Sequence, residues 1–171
     1  MQLAFEVLPA RKFHGGEISS GKRKEARPTV TRRPMHLVLR SSRANGALSL
    51  RRKEREIREL VTVFAKKFHV QIYSSSNNGN HLHLVIQAKD RVGFKKFLMS
   101  ISGRIAQVIT RARKGQKLDG KFWDYVPFTR IVEWGKDFQG VMKYVLQNIL
   151  ESTGVIPYQT RTGERRFENP T

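Results

Sequence analysis

Apolar and polar residues alternate in some stretches of this chain and recur at helical spacing in others. MHLVLR (35–40) alternates, with His36, Val38 and Arg40 sharing one face, because successive strand side chains point to opposite sides. In residues 51–68, Ile57, Leu60, Val61, Phe64 and Phe68 fall at helical intervals beneath a basic surface. HVQIYSS (69–75) predicts a second strand, Asn77, Asn78 and Gly79 a turn, and HLHLVIQA (81–88) its hairpin partner. A second helix over 91–111 carries the stripe Phe94, Phe97, Leu98, Ile101, Ile105 and Val108. KFWDYVPFTRIVEW (121–134) suits a strand with an irregular approach, since Pro127 cannot donate to a central ladder. A third helix spans 136–151.

The order β-α-β-β-α-β, followed by a helix, predicts an α+β domain of ferredoxin-like form. Its four-stranded antiparallel sheet carries two helices on one face. The first and third strands are then central neighbours, and the other face is open for a ligand or for the last helix. The domain would occupy 34–151, between a basic arm (1–33) that is extended along something acidic or disordered, and a polar tail (152–171).

Charge narrows the class of partner. Lys and Arg number 33 against 14 Asp and Glu, for a net charge of +19 and a pI near 11.0. Such an excess attracts polyanions, nucleic acid first. Anionic membrane is the rival, but it calls for a basic amphipathic helix or a lipid anchor. No segment approaches the roughly 20 apolar residues of a span, and the start MQLAFEVLPARKF lacks an apolar signal core. The absence of cysteine excludes disulfides and thiolate metal sites. A cytoplasmic protein that faces nucleic acid is expected.

Two features carry candidate chemistry. In GNHLHLVI (79–86), His81 and His83 project from one face while Leu82, Leu84 and Ile86 face a core. Their Cα atoms would lie roughly 6.6 Å apart, close enough for two imidazole nitrogens to converge on one divalent cation. Two ordinary, half-exposed strand histidines would show the same pattern. On the last helix, Phe138, Val141, Met142, Val145, Leu146 and Ile149 form an apolar arc, and Tyr144 and Asn148 share its edge. The tyrosine suits amphipathic packing with a wet hydroxyl as well as it suits catalysis. An asparagine inside a helix is a weak helix former, which points to a polar partner for its amide.

NHLHLVI followed some sixty residues later by YVLQN resembles the single-tyrosine HUH endonucleases. These comprise the insertion-sequence transposases and the REP-associated tyrosine transposases. His81-Leu82-His83 stands as the HUH element, Asn80 as the asparagine before it, and Tyr144 with Asn148 as the helical pair. RRPMHLVLRSS and GKFWDYVPFTRIVEW are similar to the family's first and last strands, so the resemblance spans roughly 33–150. Ile149-Leu150 continue the helix where many relatives carry Pro-Val. The resemblance implies that His81, His83 and Asn148 hold Mg²⁺ or Mn²⁺ and that Tyr144 is the nucleophile. It implies cleavage and transfer of single-stranded or hairpin DNA through a 5′-phosphotyrosine.

Arg40, Lys95, Lys96, Arg104, Arg111, Arg113, Lys114 and Lys117 are candidates to track phosphates, with Trp123, Phe122 and Tyr125 as base-stacking candidates. Core packing is the competing role for Phe122. His36 is a candidate substrate contact if the strands register, or a plain polar-face histidine. Arg130 and Glu133 suit a strand-end salt bridge. Two other functions stay open: a non-catalytic RNA-binding module on the same sheet architecture, and a domesticated binder of hairpin DNA. The first lacks the RNP1 aromatic pattern on its third strand. A single nucleophilic tyrosine per chain, as the resemblance implies, permits a homodimer without requiring one.

Overall fold

Alternating segments become strands and helical-period segments become helices in a computed structural model that describes residues 12–23, 25–113, 115 and 119–159. The elements are β1 (Phe13–His14), β2 (Met35–Arg40), α1 (Glu54–Lys67), β3 (Val70–Asn77), β4 (His81–Ala88), α2 (Arg91–Thr110), β5 (Phe128–Ile131) and α3 (Lys136–Ser152). The sheet order is β1-β5-β2-β4-β3, with every neighbouring pair antiparallel. Without β1 this is the expected ferredoxin-like order, with β2 and β4 as central neighbours.

The fifth strand comes from the basic arm, which the sequence alone assigns to no sheet. β5 would otherwise be an edge with open backbone groups, and Phe13 and His14 pair with Arg130 and Thr129 along it. Arg27 also donates to the Thr129 hydroxyl at 2.6 Å, so the arm touches the sheet at Phe13, His14 and Arg27, while much of the rest of its described length is exposed. The expectations for residues 1–11, Lys114, Lys117 and the end of the tail lie outside the described residues.

Each face of the sheet has its own cover. Leu37, Leu39, Leu82, Leu84 and Ile86 point toward α1 and α2, where they join Ile57, Phe94, Phe97 and Ile101 in the main core. Phe94 and Phe97 are at most 2% exposed, and burial of each such side chain contributes roughly 1.5–3 kcal/mol. On the opposite face, Val85 packs with Val132, Val141 and Val145 under α3. The last helix therefore takes the face that the sequence left open.

Two devices fix α3. A register shift between Ile72 and Ser74 interrupts the β3–β4 ladder. Such a bulge redirects side chains, and here Tyr73 meets Phe138 at 5.4 Å and Trp134 at 5.8 Å between ring centroids. In the first turn of α3, Asp137 accepts from Arg130 through both oxygens, at 2.8 and 3.1 Å, and from the Glu133 backbone N–H at 2.9 Å. Burial opposes ionisation of Asp137, but these bonds outweigh it and hold the carboxyl below its ordinary pKa. An acid at a helix N-terminus also suits the macrodipole. Strand-end ion pairs thus form, although Arg130 and Glu133 do not join each other: Glu133 pairs instead with Arg33 and Lys12. Among the described residues, no helix is long and apolar enough to cross a membrane.

Candidate active site

The β3–β4 turn sets the geometry of the histidines. Asn77 Oδ1 accepts from the Gly79 N–H at 3.0 Å, an Asx turn, and Gly79 has φ +90°, a region that favours glycine. The turn is tied to the chain after β2, because Ser41 N donates to Asn80 O at 2.9 Å and Leu50 N to Gly79 O at 2.8 Å. β4 then starts at His81, opposite Arg40, with His83 opposite Val38. Both imidazoles lie on the α3 face, their ring centroids 4.7 Å apart.

α3 lays Tyr144 and Asn148 over this pair. The Tyr144 ring stands edge-on to His83 at 5.6 Å and to His36 at 5.9 Å. Asn148 is only 2% exposed, and its Oδ1 accepts from Asn78 Nδ2 at 3.2 Å. The same Asn78 nitrogen lies 3.2 Å from His81 Nε2. His81 Nδ1 is 2.5 Å from Asn80 Oδ1, which can only accept. Nδ1 therefore carries the hydrogen, and the Nε2 lone pair turns toward Asn78. The sequence-predicted ligands His81, His83 and Asn148 are thus drawn together with Tyr144, from segments about sixty residues apart.

His36 is on the predicted face, but it is 8% exposed and covered. Its Nε2 lies 3.0 Å from His83 Nδ1, and the two rings stack with centroids 5.2 Å apart. Burial, with the nearby Arg130 cation, lowers the His36 pKa to about 4. It backs His83 from behind and has little surface to offer a substrate.

The basic candidates divide between the faces. Arg40 is exposed beside the site, with Asp124 at 3.9 Å. It lines a shallow cleft of about 190 Å³ with Val38, Tyr125 and Phe128. Lys95, Lys96 and Arg104 are exposed on α2, across the sheet from Tyr144, and Arg111 caps that helix in a left-handed conformation. Arg113 follows it. Phe122 is buried, as core packing requires. Trp123 also belongs to the α2 side, since its indole N–H donates to Ser102 O at 2.9 Å. Asn78 is the site residue that sequence reasoning missed, because an Asn-Asn-Gly run is explained fully by turn chemistry. Its adjacency to the HLH segment was the only available signal.

Fold and site together define an α+β domain in which a C-terminal helix sets a tyrosine against a sheet-borne histidine pair. The sequence model described as "Transposase IS200 like" matches residues 29–148, more than half of the chain, and the chain belongs to that family. Among solved structures, a Deinococcus radiodurans R1 protein provisionally designated a transposase is similar at 12% identity and a TM-score of 0.44. That match covers 74% of this chain and 98% of the other. No curated protein matches the chain. Membership of a transposase family makes DNA the partner of this protein.

Proposed function

We propose that the chain cuts and rejoins single-stranded or hairpin DNA through Tyr144, with one Mg²⁺ or Mn²⁺ held by His81, His83 and Asn148. The observation that carries this reading is the convergence of a phenol, two imidazoles and an amide oxygen at one spot on the α3 face.

The donor chemistry fits a divalent cation. No group of three His, Cys, Asp or Glu gathers among the described residues, so an amide oxygen must complete a set begun by two imidazoles. His81 already has its Nδ1 hydrogen committed to Asn80. His83 can direct its Nδ1–H to His36 Nε2, which leaves its own Nε2 lone pair for the ion. Such outer partners fix both tautomer and ring orientation. A bound cation would neutralise charge on a non-bridging phosphate oxygen and orient the scissile phosphate.

The chain's own residues supply the rest. The Tyr144 oxygen forms a bond to phosphorus as the phosphorus–O3′ bond breaks, leaving a 5′-phosphotyrosine. The leaving 3′ oxygen takes up a proton, and the phenol gives up its own. One phosphodiester replaces another, so a different 3′-hydroxyl can reverse the step without ATP. Arg40 can hold a flanking phosphate, and Tyr125 in the adjacent cleft offers a ring for a base.

The test is incubation of the full chain with hairpin oligonucleotides and Mg²⁺ or Mn²⁺, followed by a denaturing gel. A covalent protein–DNA band is expected. Retained binding with no such band under any divalent metal would make the protein a non-catalytic binder.

A further inference from the structure

Asn78 Nδ2 sits 3.2 Å from His81 Nε2 and 3.2 Å from Asn148 Oδ1. Its hydrogens thus fill the space into which two of the proposed ligand atoms direct their lone pairs. The other end of the amide, Oδ1, accepts from Ser76 Oγ at 2.7 Å, and Ser76 is 3% exposed. A turn residue needs none of this: the turn itself is made by the Asn77 side chain and Gly79.

We infer that Asn78 is a fourth protein ligand of the divalent cation, binding through its amide oxygen once the amide turns over. This inference rests on the metal-site reading above. Three observations support it. The nitrogen and oxygen of a side-chain amide are nearly the same size and trade places by rotation about one bond. A hydroxyl both donates and accepts, so Ser76 keeps its bond to Asn78 in either orientation. Lastly, adjacent ligands of an octahedral ion with bonds of about 2.1 Å lie about 3.0 Å apart. The two 3.2 Å separations nearly match that spacing, so Asn78 need not be displaced to become a ligand. Without rotation, the amide would turn two N–H hydrogens toward an arriving cation. Oxygen ligands favour hard ions, so Mg²⁺ and Mn²⁺ gain over zinc from a second amide oxygen.

The experiment is a Mn²⁺ titration of the chain without DNA, read by the loss of the free-ion electron paramagnetic resonance signal. Asn78→Ala should weaken Mn²⁺ binding by about tenfold or more, the scale of losing one coordinating or supporting group. Asn78→Asp keeps the shape, offers a charged oxygen, and should bind Mn²⁺ more tightly than the unaltered chain. If Asn78→Ala binds equally or more tightly while folded, the amide only fills a gap and the inference is overturned. Should the alanine variant unfold, the Asn78→Asp result decides, and affinity no higher than that of the unaltered chain overturns the inference. His81→Ala separates the two levels. If it binds like the unaltered chain, or if the unaltered chain takes up no Mn²⁺, the metal site itself is lost and Asn78 with it.

Discussion

The two faces of the sheet are built from the same strands and differ in almost everything else. Toward α1 and α2, β2 and β4 present Leu37, Leu39, Leu82, Leu84 and Ile86, all 3% exposed or less, against an aliphatic and aromatic core. Toward α3 the alternate residues are His36, His83 and Val85, joined by Tyr144 and Asn148. The first face is stabilised by water-excluding contact. The second holds buried polar groups, which cost stability unless each finds a hydrogen-bond partner. The proposed site thus lies beside a smaller apolar cluster of Val85, Val132, Val141 and Val145, while the other face carries the main core.

The comparison predicts opposite signatures on the two sides. The largest effect should come from Tyr144→Phe: the covalent DNA band disappears, while hairpin binding persists. Stability should fall by no more than about 1.5 kcal/mol, the scale of one hydrogen bond. A DNA adduct formed by the phenylalanine variant would assign the nucleophile to another residue.

Phe97→Ala tests the other face. It deletes a ring with 0% exposure, so chemical denaturation should show a loss of about 3–5 kcal/mol. At temperatures where the variant stays folded, its adduct yield should be unchanged. A selective loss of adduct from a well-folded Phe97→Ala protein would mean that the two faces are not separable.

Acid sharpens the contrast, because the buried histidines, His36 and His83, lie on one face only. His36 in the folded chain has a pKa of about 4, against 6.5 for the ordinary side chain. Between those values the unfolded chain binds a proton that the folded chain refuses. Stability present above pH 6.5 is therefore lost as pH falls toward 4, by about 3 kcal/mol in all. Denaturation midpoints measured in EDTA across that window should decline for the unaltered chain. They should decline less steeply for His36→Gln.

The smallest effect concerns charge. Lys95 and Lys96 are exposed on α2, on the far side of the sheet from Tyr144. Each phosphate contact on a single strand contributes about −0.7 to the log–log salt slope. Lys95→Gln with Lys96→Gln should change that slope by less than about 0.7, whereas Arg40→Gln should remove one full contact. A change near 1.4 in the double variant would show that DNA wraps onto the α2 face.

Most of this division was legible in the sequence, for a local reason. Strand alternation is a property of the backbone, so HLHLVI and MHLVLR declare by themselves that histidines and leucines point opposite ways. The helical stripes and the turn at Gly79 are equally local, and with the order of elements they were enough for the ferredoxin-like sheet. Even the pairing of Tyr144 with Asn148 follows from four-residue spacing on one helix.

What only the tertiary structure decided are the meetings between distant segments. That α3 closes over the histidine face depends on the Tyr73 bulge and on Arg130 gripping Asp137, and no periodicity encodes either contact. That His36 lies buried behind His83 depends on a β2–β4 register that alternation alone leaves unset. The arm's entry as β1 required knowing which strand had a free edge. Asn78 read as turn chemistry because turn and site use the same side chain types. Only the fold carries Asn148 within 3.2 Å of it, across 70 residues of chain.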